Sequence, residues 1–488
     1  MKHVTRAISV TAAIAIAAAV IIVPATTASA GAKGKWTKIT VDSATVENFT
    51  SADLLRLGNG TLLVGWQEQN QALQKSAQTA VIGGAGKTVL ARGTVASGWS
   101  ALNYSPQFAV VNGQIVAGYV GIHSAETDDP LSGPVQLARS VDGVTWVSDT
   151  LPVSGDNADG LYGFDLVSDG VTTYTGTVQT STDIIKYHKG QAADPMIDDN
   201  LAAPSAGAGA NVIDLSLAVD SVTKEVWAAW YALGGSSSGI WTQRIYPTPS
   251  TPIRAPGTSG DSVLPGKAIS ITTSSIGGIW LGYPVGYPSA TKVRTWSPLT
   301  NDVVTVASGQ NDIIDVDLSA GPNGKLWASW VSTVDGDEFV KAARSNVAKT
   351  RFGSIGSIPS SNAKGGGATY NVTGEGSINA LEVVVNATVP GDSGESALYS
   401  SEIHPELTVA TSKSTVSSAK GAKVVITVTD AGAAVKGATV AFNGKKYTTK
   451  ASGKVVVAVK KGTKTGKKSI TAKATGYAAA ASKITVKK

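Results

Sequence analysis

Gly277-Gly278-Ile279-Trp280-Leu281-Gly282-Tyr283 and Gly324-Lys325-Leu326-Trp327-Ala328-Ser329-Trp330 are two copies of one pattern. Each opens on a turn, continues as a short apolar strand and reaches an aromatic residue six positions on. Gly60 to Trp66, Gly113 to Tyr119 and Lys224 to Trp230 repeat it; Gly170 to Gly176 and Gly376 to Glu382 are weaker copies. The marked positions 66, 119, 176, 230, 283, 330 and 382 lie 47 to 57 residues apart. A period of this length holds four short strands, the unit of a β-propeller blade. Seven copies predict an all-β chain built on a seven-bladed β-propeller. Another strand of the repeat carries Arg139, Arg244, Arg294 and Arg344 at matching places. The last copy runs out near Ile403, one strand short, and Lys35 to Val41 offers the missing strand. That closure removes an open sheet edge. A pair of β-sandwiches is the alternative, but it leaves the regular aromatic punctuation unexplained.

The wider composition agrees with strands. The 488 residues include 54 Gly, 11 Trp and no Cys. The absence of cysteine excludes disulfides, thiolate metal sites and cysteine catalysis. Residues 1–30 read as a signal peptide: Lys2 and Arg6, an apolar run from Ala7 to Val23, and Ala28-Ser29-Ala30 as a cleavage site. The mature protein is expected to be secreted, with no membrane segment after cleavage. Its charge is divided. Residues 405–488 carry 17 Lys and no Arg against Glu406 and Asp430, a net +15, whereas residues 31–404 carry a net −11. This asymmetry predicts a propeller over 31–404 and a separate lysine-rich domain over 405–488.

Ser140-Val141-Asp142-Gly143-Val144-Thr145-Trp146 resembles the Asp-box of sialidase-like propellers. In that family the motif forms the hairpin between the third and fourth strands of a blade. Ser140, Asp142, Gly143, Thr145 and Trp146 are accordingly expected to be structural, with the Ser and Asp side chains tying the turn. Gly60 to Glu68 resembles the opening of a sialidase catalytic domain. The family's carboxylate-binding arginine belongs about ten residues upstream, where this sequence has Phe49-Thr50-Ser51-Ala52. Thr50 stands in the arginine's place, and Arg56, four residues beyond Ala52, is not assigned to it. Ala397 to Ser401 loosely resembles the segment of the family's nucleophilic tyrosine, but without the arginine Tyr399 is given no catalytic role. Val435 to Val440, Asn443-Gly444, Thr448-Thr449 and Gly453-Lys454 resemble bacterial Ig-like or carboxypeptidase-regulatory-like β-sandwich domains, which serve as spacers or adhesive modules.

The tryptophans in the repeats read as core, because equivalent positions of a ring point at equivalent sites and not at one ligand. The chemistry-bearing candidates are the acids of the strands that open the repeats: Asp53, Asp165, Asp214, Asp315 and Asp317. On innermost strands they would line the central channel, as a glycosidase pair, a cation site or a solvated acidic funnel. The scattered histidines suggest no metal set, no phosphate-cradling loop occurs, and no cofactor is expected. The leading expectation is a monomeric, non-enzymatic binding protein. Its propeller would recognise glycan or a surface protein, and its basic domain would tether it to anionic cell-wall polymer by a diffuse lysine field. Nucleic acid is not an expected partner. The alternative is a secreted glycoside hydrolase or lyase using the channel carboxylates, two of which would have to flank one bond.

Overall fold

The computed structural model describes residues 36–41, 45–46, 51–70, 73–83, 88–102, 104–123, 135–148, 161–179, 184–191, 197–199, 211–233, 236, 238–259, 269–286, 289–334, 337–359, 368–389 and 396–488. The segment 1–30 and the Phe49-Thr50 pair lie outside these residues. Among the described residues no helix is long and apolar enough to cross a membrane.

The described residues up to Ile403 form a β-propeller of antiparallel sheets in chain order. Their first strands are Asp53–Arg56, Gln107–Val111, Leu161–Ser168, Asn211–Val219, Ser270–Thr273, Asp315–Ala320 and Thr369–Gly376. Each is followed in its sheet by a second, third and fourth strand. These first strands contact one another in sequence, and Thr369–Gly376 returns to Asp53–Arg56, so they form a closed inner ring. The fourth strand beside Ser396–Ile403 comes from the other end of the chain. Thr37 pairs with Ser400 and Lys38 with Tyr399, the Ile39 N–H donates to Leu398 O at 2.8 Å, and the Trp36 indole donates to Pro359 O at 2.8 Å. One departure from simple repetition occurs. The long strand Thr88–Leu102 runs past its own sheet and pairs with Gly121 to His123, fusing the first two sheets.

The core lies in the wedges between neighbouring sheets. Trp-x-x-Trp and Trp-x-x-Tyr put two rings on opposite faces of one strand, since alternate residues face opposite ways. Trp230 therefore fills the wedge toward Tyr174, and Trp227 the wedge toward Ile271 and Tyr283. Trp330 and Trp327 divide in the same way. Ile39, Val384 and Leu398 pack with Leu62, Val64 and Trp66, so the circuit of wedges closes.

The residue before each aromatic is small for a steric reason. A Cβ on Gly65 would lie 2.4 Å from Phe108, on Gly118 3.0 Å from Phe164, and on Gly282 3.0 Å from Leu318. In each case the obstacle belongs to the next first strand. Gly176 faces Leu215 in the same way. The two weak copies are thus offset by one: Gly176 and Glu382 correspond to these small positions and not to the aromatic ones.

Residues 408–487 form two packed sheets. One contains Thr408–Thr411, Ala422–Asp430, Ala433–Ala434 and Lys454–Val459. The other runs Thr415–Ser417, Ala480–Lys487, Gly466–Lys473, Thr439–Phe442, Lys445–Thr448. Val424, Ile426, Val440, Phe442, Ile470 and Ile484 fill the space between them. Asn443 and Gly444 both have positive φ, the conformation a two-residue hairpin demands. The sandwich is locked to the propeller by a buried ion cluster. Asp430 Oδ2 accepts from Arg344 at 2.8 Å, Lys325 at 2.8 Å and the Tyr477 hydroxyl at 3.3 Å. The Arg344 guanidinium sits 5.3 Å from the Trp327 ring and 5.3 Å from that of Tyr477. The Arg344 of the repeated arginine series thus serves a contact different from those of Arg244 and Arg294. Arg244 pairs with Glu225 at 2.6 Å, and Arg294 donates to Pro256 O at 3.4 Å.

Candidate functional site

The inner ring encloses a cavity of about 260 Å³ lined by residues from every first strand, including Asp53, Asp165, Asp315, Asp317 and Glu375. First strands of a propeller diverge too much to share a backbone ladder, so side chains bridge them. Asp53 accepts the Phe108 N–H at 2.6 Å, and Asp165 the Leu217 N–H at 2.6 Å. Asp315 accepts from Val372 N at 2.9 Å and Asp317 from Gly374 N at 2.7 Å. The other oxygen of Asp317 accepts from Ser270 Oγ at 2.9 Å. In the four backbone cases a carboxylate on one strand holds an N–H of the next, a charge-assisted bond that orders the ring.

Four of the five acids marked in the sequence therefore meet at the cavity, already engaged in strand-to-strand bonds. Asp214 does not line it. It sits at a bulge between Ile213 and Leu215 with φ +62°, which takes it out of register with the other first-strand acids. Tyr399 is also away from the cavity, buried in the last wedge with Trp36 and Val385.

At one side of the cavity lies a group the sequence reading did not assemble. Arg56 forms an ion pair with Glu382, approaches Glu375 Oε1 at 4.0 Å, and donates to the Glu375 carbonyl at 3.2 Å. Burial pushes the Glu375 carboxyl up to about 8; Arg56 opposes the rise, and Asp317, Asp53 and Glu382 add to it. The rise favours the protonated form of Glu375 beside the carboxylates of Asp317 and Asp53. The signal for this group was present. Glu382 stands where the other copies have Gly, Ala or Ser facing the next first strand, and that strand carries Arg56.

The hairpin at Ser140 to Trp146 joins the strands Val135–Ser140 and Val147–Ser148. Asp142 Oδ1 accepts the N–H groups of Val144 at 2.9 Å and Thr145 at 2.8 Å, while Ser140 Oγ accepts that of Gly143 at 2.9 Å. Burial alone would raise the Asp142 carboxyl, but these donors outweigh it and hold the group below its ordinary range. The Trp146 indole donates to Thr79 Oγ1 at 3.2 Å and to Gly143 O at 3.2 Å, pinning the turn to the first sheet. Gly143 has φ +75°, and a Cβ there would meet Leu63 at 2.7 Å. The same turn chemistry recurs at Asp169 and Asp220, which also accept two backbone N–H groups each on one oxygen. Among the described residues no three His, Asp or Glu side chains converge as metal ligands would.

No protein-family model and no curated protein matches the sequence. Solved structures that resemble it include the GH93 α-L-arabinofuranosidase of Fusarium graminearum, at 13% identity over 63% of this chain and 98% of that one, TM-score 0.41. A polysaccharide lyase is similar at 10% identity over 73% of this chain and 90% of its own, TM-score 0.44. An endo-arabinase from Bacteroides thetaiotaomicron is similar at 14% identity over 61% and 93%, TM-score 0.33.

Proposed function

We propose that this chain is an exported, seven-bladed propeller that binds a neutral or cationic glycan at its central cavity without cleaving it. In this reading its C-terminal domain is an Ig-like module that holds the protein on anionic wall polymer. The observation that carries binding over hydrolysis is the use of the cavity carboxylates. Asp53, Asp165, Asp315 and Asp317 each accept a backbone N–H of the neighbouring strand. A carboxylate that accepts a backbone N–H is held ionised and oriented by the scaffold, and its first role here is to order the ring. It still has lone pairs to accept sugar hydroxyls, and Glu375 supplies a donor. A cavity lined by so many acids repels sialic acid and uronates, in keeping with Thr50 where the sialidase arginine would stand.

One observation favours the second reading, a glycoside hydrolase. Glu375 has the raised pKa of a general acid, and Glu382 is an acid beside it. Against it, Glu382 is buried and ion-paired with Arg56, so it is not free to attack or to activate water. A glycan array run beside a panel of fluorogenic glycosides separates the two. Retention of a neutral or amino-sugar glycan with no turnover supports binding. Turnover that disappears in Glu375→Gln establishes the hydrolase.

A further inference from the structure

The five-stranded sheet of the C-terminal domain has two unlike faces. Val416, Val440, Phe442, Ile470, Ala472, Ile484 and Val486 face the core. Alternation then puts Lys467, Ser469, Thr471 and Lys473 of one strand on the outer face, with Ala481, Lys483, Thr485 and Lys487 of the next. Lys467 is opposite Thr485, Lys483 is opposite Ser469, and Lys487 is opposite Ser417. Lys473 sits opposite Thr439 of the next strand, and Lys446 of the edge strand sits opposite Ala441. Every lysine of this face is exposed, and each is opposite a Ser, Thr or Ala. Acids are missing from the face because both acids of the segment are elsewhere. Asp430 is buried in the ion cluster, and Glu406 bridges Ser354 and Ala478 at the junction with the propeller.

Strand geometry sets the spacing. Strands lie about 4.8 Å apart and alternate residues about 6.8 Å apart, so the Cα of Lys467 is roughly 8 Å from those of Lys483 and Lys487. That is about one Debye length, so the three fields reinforce one another at physiological salt. Hydroxyls of Thr485, Ser469 and Ser417 lie between the charges as neutral donors. The face has no arginine for a bidentate carboxylate grip and no aromatic ring for base stacking. Lysine binds phosphate as a point charge, and the interleaved hydroxyls add neutral donors to it.

We propose that this sheet face, and not the lysine content of the domain at large, is the docking surface for a linear phosphodiester polymer of the cell wall. The inference rests on the reading of the domain as a wall tether. Its test uses the full chain and two probes: purified Gram-positive walls, and the same walls stripped of phosphodiester polymer with hydrofluoric acid. Lys467→Gln/Lys483→Gln/Lys487→Gln removes three charges from the face. Lys423→Gln/Lys436→Gln/Lys454→Gln removes three from the opposite sheet and a loop. All six side chains are exposed, and matching urea midpoints check that the fold is kept. The face variant is expected to lose at least tenfold in affinity for untreated walls, the other variant less than twofold, and stripped walls to bind neither. Equal losses in the two variants overturn the face while leaving the tether. Undiminished binding to stripped walls overturns the phosphodiester assignment. Failure of the unmodified chain to bind untreated walls overturns the tether reading itself.

Discussion

Asp430→Asn tests the contact that joins the two parts of the molecule. The Asp430 side chain is 3% exposed, that of Arg344 6% and that of Lys325 18%. Asparagine keeps the shape and one acceptor oxygen but removes the charge. Arg344 is then left between the Trp327 and Tyr477 rings with no counter-charge. Removing one partner of a buried pair costs about 3–5 kcal/mol, most of it the desolvation of the charge left behind. Because the amide still accepts, we expect the lower end, about 3 kcal/mol, or roughly two decades in the equilibrium. The assay is urea unfolding of the full chain, followed by tryptophan fluorescence and by hydrogen exchange at Ile426 and Ile470. All the tryptophans precede residue 405, so fluorescence reports on the propeller alone. Exchange at the two isoleucines reports on the sandwich. In the unmodified protein the two signals are expected to change together; in the variant the sandwich should open at lower urea. Adding Arg344→Met should restore part of the loss, because the orphaned charge is removed. A variant within about 0.5 kcal/mol of the unmodified protein, or a double variant weaker than Asp430→Asn alone, would refute the reasoning.

Gly65→Ala places a methyl 2.4 Å from the Phe108 ring and 2.9 Å from Pro106, and overpacking of this kind should cost about 1–3 kcal/mol by thermal unfolding. Trp36→Ala should cost about 3–5 kcal/mol although the residue lies near the N-terminus, because its ring is 2% exposed in the last wedge; a loss under about 1 kcal/mol would mean that the N-terminal strand does not close the ring. Glu375 has a folded-state pKa of about 8, raised from 4.5, so the native state binds the extra proton and stability falls as pH rises from about 4.5 through 8. Glu375→Gln should therefore match the unmodified protein near pH 4 and exceed it by about 2 kcal/mol at pH 9, the full shift being discounted for the water that reaches this 26%-exposed side chain. Asp142 shifts the other way, so its contribution is complete above the ordinary aspartate pKa and is lost as pH falls through the depressed one; Asp142→Ala should abolish that acid-side loss in a stability–pH profile.

What the sequence disclosed and what it withheld have physical reasons. The Trp-x-x-Trp strands were legible because each ring must fill one of two wedges, and that need recurs at every sheet. The offset of the weak copies was not, because Gly176 and Glu382 fall at the aromatic place in the sequence spacing while their environment is that of Gly65 and Gly282. That misalignment hid the Arg56–Glu375–Glu382 group, whose members are far apart in the chain and meet only where the ring closes. Four of the cavity acids could be marked from their place on first strands. Their partners could not, because an aspartate that accepts a backbone N–H leaves no trace in the identity of the donor residue. Asp430 gave no signal beyond being one of two acids among 17 lysines. That scarcity was itself the clue, since an acid retained in such a segment has a local charge to neutralise.

The most direct test of binding without cleavage is the fate of the ligand. A neutral or amino-sugar glycan retained on the array should be incubated with a stoichiometric amount of the protein at pH 5, 7 and 9, released by denaturation, and sized by mass spectrometry with reducing ends counted. Binding without cleavage predicts that the glycan is recovered intact at every pH, and that Glu375→Gln, which keeps a donor at this position, still binds the glycan. Shortened products or unsaturated ends that depend on Glu375 would contradict it.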